Sequence, residues 1–228
     1  MSVFLLPENE NHFPPVDQAD PDGLLAVGGD LSVERLLTAY REGIFPWFGE
    51  MDPLLWWAPD PRFVLFPGEL KVAKSMRPYF NQGKFTVTLD NRFEEVMRSC
   101  ADIRSDSGTW ITDEMVDAYT ALHSLGYAHS VEVWESGELV GGLYGVSIGK
   151  LFFGESMFAK VSNASKYGFI TLVRLLEQKG FRLIDCQQET AHLGSLGARP
   201  IARDVFSGIL KENETEDTLL GSWSSLLD

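Results

Sequence analysis

Apolar positions along the chain follow two different periods, and the change between them divides it. Val33, Leu36, Leu37 and Tyr40 recur at i, i+3, i+4 and i+7 behind Ser32, whose hydroxyl suits an N-cap, and Gly43 supplies a stop. A helix is expected there. Around it Pro14-Pro15, Pro21-Asp22-Gly23, Gly28-Gly29-Asp30, Pro46, Pro53, Pro59 and Pro61 interrupt every pattern, which predicts a small loop-rich lobe over residues 1–61. Residues 62–228 form the second, larger domain. In it a strand near Phe85–Leu89 precedes a helix from Thr112 to Leu125, with Asp113 and Glu114 in its first turn and Gly126 behind it. Period 2 then takes over. His129–Glu135, a turn at Ser136-Gly137, the Gly-rich run Glu138–Ser147, a turn at Gly149-Lys150 and Leu151–Gly154 predict an antiparallel meander. A helix from Ser162 to about Lys179 carries Phe169, Leu172, Val173 and Leu176 on one face, and the strand Phe181–Asp185 follows. Meander, helix and strand in this order predict an α+β fold with a mixed sheet. The tail from Lys211 onward is acidic and is expected to be peripheral.

Charge changes this picture more than composition does. Hydrophobic residues make up 44% of the chain, enough to bury a real core. The 33 acidic against 19 basic residues give a net charge of −14, so the chain as a whole repels polyanions, and a nucleic-acid site must be local. Residues 62–84 reverse the balance: Arg62, Lys71, Lys74, Arg77 and Lys84 stand against Glu69 alone. A helix over 69–77 would place Lys71, Lys74 and Arg77 on one face, either as an ordinary solvated face or as a stripe that contacts phosphates. Cys100 and Cys186 lack CxxC or Cys/His spacing, so neither a disulfide framework nor a zinc site is indicated. The N-terminus has no basic n-region, and no run approaches the roughly 20 apolar residues of a membrane span. A cytoplasmic protein is expected.

Several motifs fail on their context. Gly145-Val-Ser-Ile-Gly149 matches the hydrolase elbow, but a turn and a strand follow where a helix is required. Gly149-Lys150 lacks the remaining P-loop residues. Cys186 with His192 suggests a thiol nucleophile only weakly, because Cys186 ends an apolar strand and small buried cysteines are common. The sequons at Asn163 and Asn213 carry no weight without an export signal. Trp47, Trp56 and Trp57, close together among prolines, suit either the core of the lobe or an aromatic cleft. Glu155 follows one predicted strand, and Asp185 and Gln187 end another. If those strands pair, the carboxylates converge at one end of the sheet, where they would act as caps or as a polar site able to orient an amine.

GLLAVGGDLS, GIFPWF, WWAPDPR, GTWIT, YAHSVEVW, LVGGLYGV, GESMF, NASK, LIDCQ and HLGSLGARPIAR occur in this order over about residues 22–206. Together they resemble the leucyl/phenylalanyl-tRNA–protein transferases. The resemblance implies an enzyme that moves Leu, Phe or sometimes Met from aminoacyl-tRNA onto proteins beginning with Arg or Lys, marking them for N-end-rule degradation. It implies an acetyltransferase-like (GNAT) larger domain joined to the small lobe, a monomer, and no metal or other cofactor, since the ester is already activated. Residues 159–165 lack the glycine pattern that holds coenzyme A in acetyltransferases, so acetyl-CoA use is disfavoured. By resemblance Asp185 and Gln187 are the catalytic pair, with Asp185 accepting from the attacking amine and Gln187 positioning it. Glu155 would contact the aminoacylated adenosine, with Trp47 and Trp110 packed around it. Leu143, Phe152, Met157, Leu172, Leu176 and Ile184 would form the side-chain pocket, and the 62–84 basic stretch would grip the tRNA backbone. A transferase acting on cell-wall precursors and a non-catalytic tRNA-binding module are the competing functions.

Overall fold

The computed structural model describes residues 3–8, 10–49, 51–103 and 109–227. Strands β1 (Phe4–Leu6), β2 (Leu24–Gly28), β3 (Phe45–Pro46) and β4 (Leu55–Trp57) make a sheet in the order β1-β2-β4-β3, with helix α1 (Val33–Arg41) between β2 and β3. The α1 helix starts where its spacing predicts, because the Ser32 hydroxyl accepts from the Arg35 amide at 3.4 Å. It buries Leu36, Leu37, Ala39 and Tyr40. At its end Gly43 has φ 76°, and a Cβ there would meet Phe206 and Leu210 at 2.8 Å. The lobe therefore packs directly on the last helix.

The larger part of the chain contains β5 (Arg62–Leu65), α2 (Arg77–Asn81), β6 (Thr86–Leu89), α3 (Phe93–Asp102), α4 (Asp113–Ser124) and β7 (Ala128–Glu135). Then follow β8 (Glu138–Ile148), β9 (Leu151–Ala159), α5 (Ala164–Gln178), β10 (Leu183–Asp185), α6 (Ala191–Ser195), β11 (Arg199–Ile201) and α7 (Arg203–Asn213). Seven strands pair in the order β11-β5-β10-β9-β8-β7-β6, with β10 parallel to β9 and the other neighbours antiparallel. This is an α+β fold with a mixed sheet, in the predicted order of meander, helix and parallel strand. Alternation along the strands separates two apolar layers. One joins the lobe, α3, α4 and α7 to one face of the sheet, through residues such as Tyr40, Val96, Tyr119, Phe153 and Phe206. The other covers the opposite face with α5, through Val131, Phe152, Ile170, Leu172 and Ile184.

Three expectations are corrected here. Residues 69–77 are not one helix: 3-10 turns at Pro67–Glu69 and Lys74–Met76 flank an extended stretch, and α2 adds only five residues. The Lys71 amide donates to Leu196 O at 2.8 Å, so a tertiary partner takes a donor that a helix would have used internally. Lys71, Lys74 and Arg77 consequently share no helix face. The β9 strand does not stop at Gly154 but continues to Ala159. The acidic tail is not peripheral throughout, because Trp223 is 1% exposed and belongs to the α5-side layer.

Candidate active site

Glu155 lies inside β9 rather than after it. Tyr144 pairs with Ser156 and Gly145 with Gly154, so Glu155 is the extra residue of a β-bulge, a device that re-aims a side chain. The register of β10 on β9 ends at Asp185 opposite Phe153, one residue before Gly154. The expected strand pairing thus brings Glu155, Asp185 and Gln187 together where β9 and β10 part. The Glu155 carboxylate accepts from Tyr40 Oη at 2.8 Å, Tyr119 Oη at 3.2 Å and Gln187 Nε2 at 2.9 Å. The two tyrosine hydroxyls also bond to each other. Burial, reinforced by the nearby Asp185 charge, pushes the Glu155 carboxyl up to about 7 although its donors favour the ion. Burial and the Glu155 charge hold both tyrosines well above the usual phenol value, so they remain donors. Tyr40 comes from α1 of the lobe and Tyr119 from α4. Neither was singled out as a site residue from sequence, where Tyr40 fits a helix's apolar stripe.

Asp185 is fully buried and bound to Arg62. Arg62 Nε donates to Oδ1 at 2.8 Å and Nη2 to Oδ2 at 2.6 Å, while rings of Phe45 and Phe206 each lie 4.8 Å from the guanidinium carbon. This corrects the assignment of Arg62 to the phosphate-binding group: at 1% exposure, with a bidentate carboxylate partner, it is out of reach of a tRNA backbone. The Gln187 amide donates to Asp185 Oδ1 at 2.9 Å. Gln187 itself has φ 61°, and the Gln188 amide donates to Cys186 O at 2.7 Å, closing a tight γ-turn around it. A non-glycine residue held in this region stores strain, which clusters at functional sites.

A cavity of about 440 Å³ opens beside these groups. Leu143, Phe152, Met157 and Ile184 line it as expected, together with Glu155, Asp185 and Gln187. Leu172 and Leu176 do not: both are 1% exposed within the layer behind α5, and that helix instead turns Ser165 and Phe169 toward the cavity. Leu193 and His192 of α6 complete this side; only His192 was singled out in sequence, and there with Cys186. Burial and the charge of Lys166 lower the His192 pKa. The Cys186 thiol also lines the cavity, where burial pushes it up, away from the thiolate a nucleophile requires. Trp47 and Trp110 stand at the cavity, Trp47 40% exposed and held from behind by Trp57, whose Nε1 donates to Trp47 O at 2.6 Å. Gly108 of the GTWIT motif lies outside the described residues. Lys71, Lys74, Arg77 and Lys84 are all exposed, and Lys84 pairs with Glu135 at 3.6 Å.

Comparisons with known proteins agree over nearly the whole length. The family profile described as leucyl/phenylalanyl-tRNA protein transferase matches residues 64–211, and that of its N-terminal domain matches residues 29–60. A leucyl/phenylalanyl-tRNA–protein transferase of Nitrosospira multiformis is 59% identical over 207 residues, 90% of this chain and 89% of its own. Its namesake in Syntrophobacter fumaroxidans is 57% identical over 225 residues, 98% of this chain and 96% of its own. Among solved structures, L-PGS from Bacillus licheniformis overlaps at a TM-score of 0.42 and 10% identity, covering 70% of this chain and 52% of that one. On the profile match and the identity of these relatives, the chain belongs to the leucyl/phenylalanyl-tRNA–protein transferase family of aminoacyltransferases.

Proposed function

We propose that the protein transfers Leu or Phe, and less well Met, from aminoacyl-tRNA to the α-amine of proteins beginning with Arg or Lys, marking them for N-end-rule degradation. It acts as a cytoplasmic monomer. The observation that carries the site assignment is the meeting of Glu155, Gln187 and Asp185 at one end of an apolar cavity flanked by Trp47 and Trp110. The aminoacyl side chain occupies the cavity between Leu143, Phe152, Met157 and Ile184, and the tryptophans pack on the terminal adenosine of the tRNA. Base–aromatic stacking of this kind is worth about 1–3 kcal/mol per base. Apolar contacts such as those of Leu143, Phe152, Met157 and Ile184 separate chains differing by one methylene by only about 1–3 kcal/mol, which suits a Leu, Phe and Met range.

The reaction is aminolysis of an ester. The neutral acceptor amine attacks the carbonyl carbon, a C–N bond forms, and the C–O bond to the terminal ribose breaks. Gln187 Nε2 is engaged by Glu155, which leaves its amide oxygen to accept from the incoming amine and orient it. Glu155 takes the proton released from the amine and returns it to the departing ribose oxygen, a task suited to a carboxyl pushed up to about 7. Asp185, which the resemblance implies would accept from the amine, has both oxygens engaged by Arg62 and the Gln187 backbone amide, so its role changes to fixing the turn that presents Gln187. Incubation with leucyl-tRNA or phenylalanyl-tRNA and a peptide beginning with Arg, followed by mass, tests the proposal. A gain of one Leu or Phe on the α-amine, absent from peptides with acidic or blocked ends, is the expected result. An intact ester after demonstrated binding would instead favour the binding module or an acceptor such as a cell-wall precursor.

A further inference from the structure

Trp223 lies in the tail, twelve residues beyond the end of the family profile at residue 211, yet it is 1% exposed. Its ring stacks on the His129 imidazole with centroids 3.6 Å apart and planes at 8°. Its amide donates to Asp90 Oδ2 at 2.7 Å, the same oxygen that His129 Nδ1 meets at 2.9 Å, while the Ser130 amide donates to Oδ1 at 2.9 Å. The indole N–H is taken by Leu219 O at 3.1 Å. With both polar groups satisfied, the ring's remaining contacts are apolar: Phe181 at 6.0 Å edge-on and Phe152 at 6.1 Å, tilted by 37°. Phe152 is the cavity-lining residue of β9. Its ring also lies close to Gly145, where a Cβ would meet ring atoms of Phe152 at 2.7 Å. The Phe152 ring is thus packed close to the Gly145 backbone and neighbours an indole whose position is fixed by hydrogen bonds to Asp90 and Leu219 and by stacking on His129.

We propose that Trp223 is a positioning residue for side-chain selection: it holds the Phe152 ring forward and thereby sets the depth of the aminoacyl pocket. This rests on the assignment of the cavity to the aminoacyl side chain. Dense interiors transmit a change of volume to their neighbours, so a smaller residue at 223 lets Phe152 withdraw and deepens the cavity. The longer, flatter Phe side chain gains from that space and Leu does not.

The test measures kcat/KM for phenylalanyl-tRNA and leucyl-tRNA in the full-length enzyme carrying Trp223→Leu, Trp223→Phe, Phe152→Leu, and each 223 variant combined with Phe152→Leu. The expected result is a rise of about tenfold in the Phe-to-Leu ratio for Trp223→Leu and a smaller rise for Trp223→Phe, which keeps a ring on His129. Both rises should vanish once Phe152 is Leu, since the coupling runs through that ring. Equal losses on the two tRNAs, or ratio shifts that simply add in the double variants, would overturn the proposal. If Trp223→Leu does not fold, Trp223→Phe decides by the same criteria. A Phe152→Leu enzyme with an unaltered ratio would remove the cavity assignment itself, whereas an altered ratio there with no effect at 223 removes only the role of Trp223.

Discussion

Arg62 and Asp185 face each other from the neighbouring strands β5 and β10, joined by two hydrogen bonds of 2.8 and 2.6 Å, with neither side chain more than 1% exposed. An ion pair this deep is expensive to break from one side only, because the surviving charge stays buried without a partner. Arg62→Ala should cost about 3–5 kcal/mol, lowering the melting temperature by roughly 10 °C. Arg62→Lys should recover only part of this loss, since an ammonium cannot engage both carboxylate oxygens as a guanidinium does. The double variant Arg62→Leu, Asp185→Leu should melt closer to the parent than Arg62→Ala and still be inactive, because nothing then holds the Gln187 turn. Thermal melts and single-turnover transfer assays separate these outcomes; a double variant that transfers normally would remove the pair from the proposed mechanism.

Glu155→Gln keeps the size of the side chain and removes the proton acceptor. Transfer should fall by about 10²–10⁴, the usual contribution of a positioned acid–base group. In the parent, single-turnover rates should rise with pH through about 7 as Glu155 ionises; the variant should lose that limb and keep only the rise at about 7.7–8.0 from deprotonation of the acceptor α-amine. Stability supplies an independent readout. The folded carboxyl titrates higher than an ordinary one near 4.5, so its contribution is full below that ordinary value and is lost as pH rises through about 7. The Gln variant should therefore show a flatter melting temperature across that window.

Much of the fold is legible where local chemistry decides it. Thr112 caps α4 by accepting from the Met115 amide at 3.3 Å, and Ser32 does the same for α1. The α3 helix shows the opposite case. It has no side-chain cap of its own, and the amides of Asn91 and Arg92 instead donate to Glu132, forty residues away on β7. The spacing of Phe93, Val96, Met97 and Cys100 announces the helix, but the cap that starts it leaves no local signal. The bulge at Glu155 is equally invisible, since it depends on the register of β8 against β9. The convergence of Glu155 with Asp185 and Gln187 could be anticipated because it needs only that two strands pair. The Arg62 error has a physical origin too: a basic run counted by charge says nothing about which member a neighbouring carboxylate draws inside.

Gln187 separates stability from activity. Its φ of 61° disfavours any side chain with a Cβ, a strain of order 1 kcal/mol or more. Gln187→Gly should melt at or slightly above the parent temperature while losing transfer, because the turn relaxes and the amide disappears. Gln187→Ala loses the amide and keeps the strain, so it should be equally inactive and less stable than the glycine variant. Comparable melting of the two would show that the turn is not strained.

Lys71, Lys74 and Arg77 are exposed on a chain of net charge −14, and no one helix face aligns them. If they meet the tRNA backbone, they do so as separate phosphate contacts along an irregular segment, without base readout. Each contact displaces counterions, so their number is measured by the salt dependence of binding. Changing all three to Ala should make the slope of log K against log salt shallower by about two to three, with the same loss for leucyl- and phenylalanyl-tRNA. The rate of transfer at saturating tRNA should stay near the parent value, because none of the three lines the cavity. Filter binding across a salt series checks the slope. A weaker binder with an unchanged slope would place the backbone contact elsewhere, while loss confined to one of the two tRNAs would mean that this segment reads sequence.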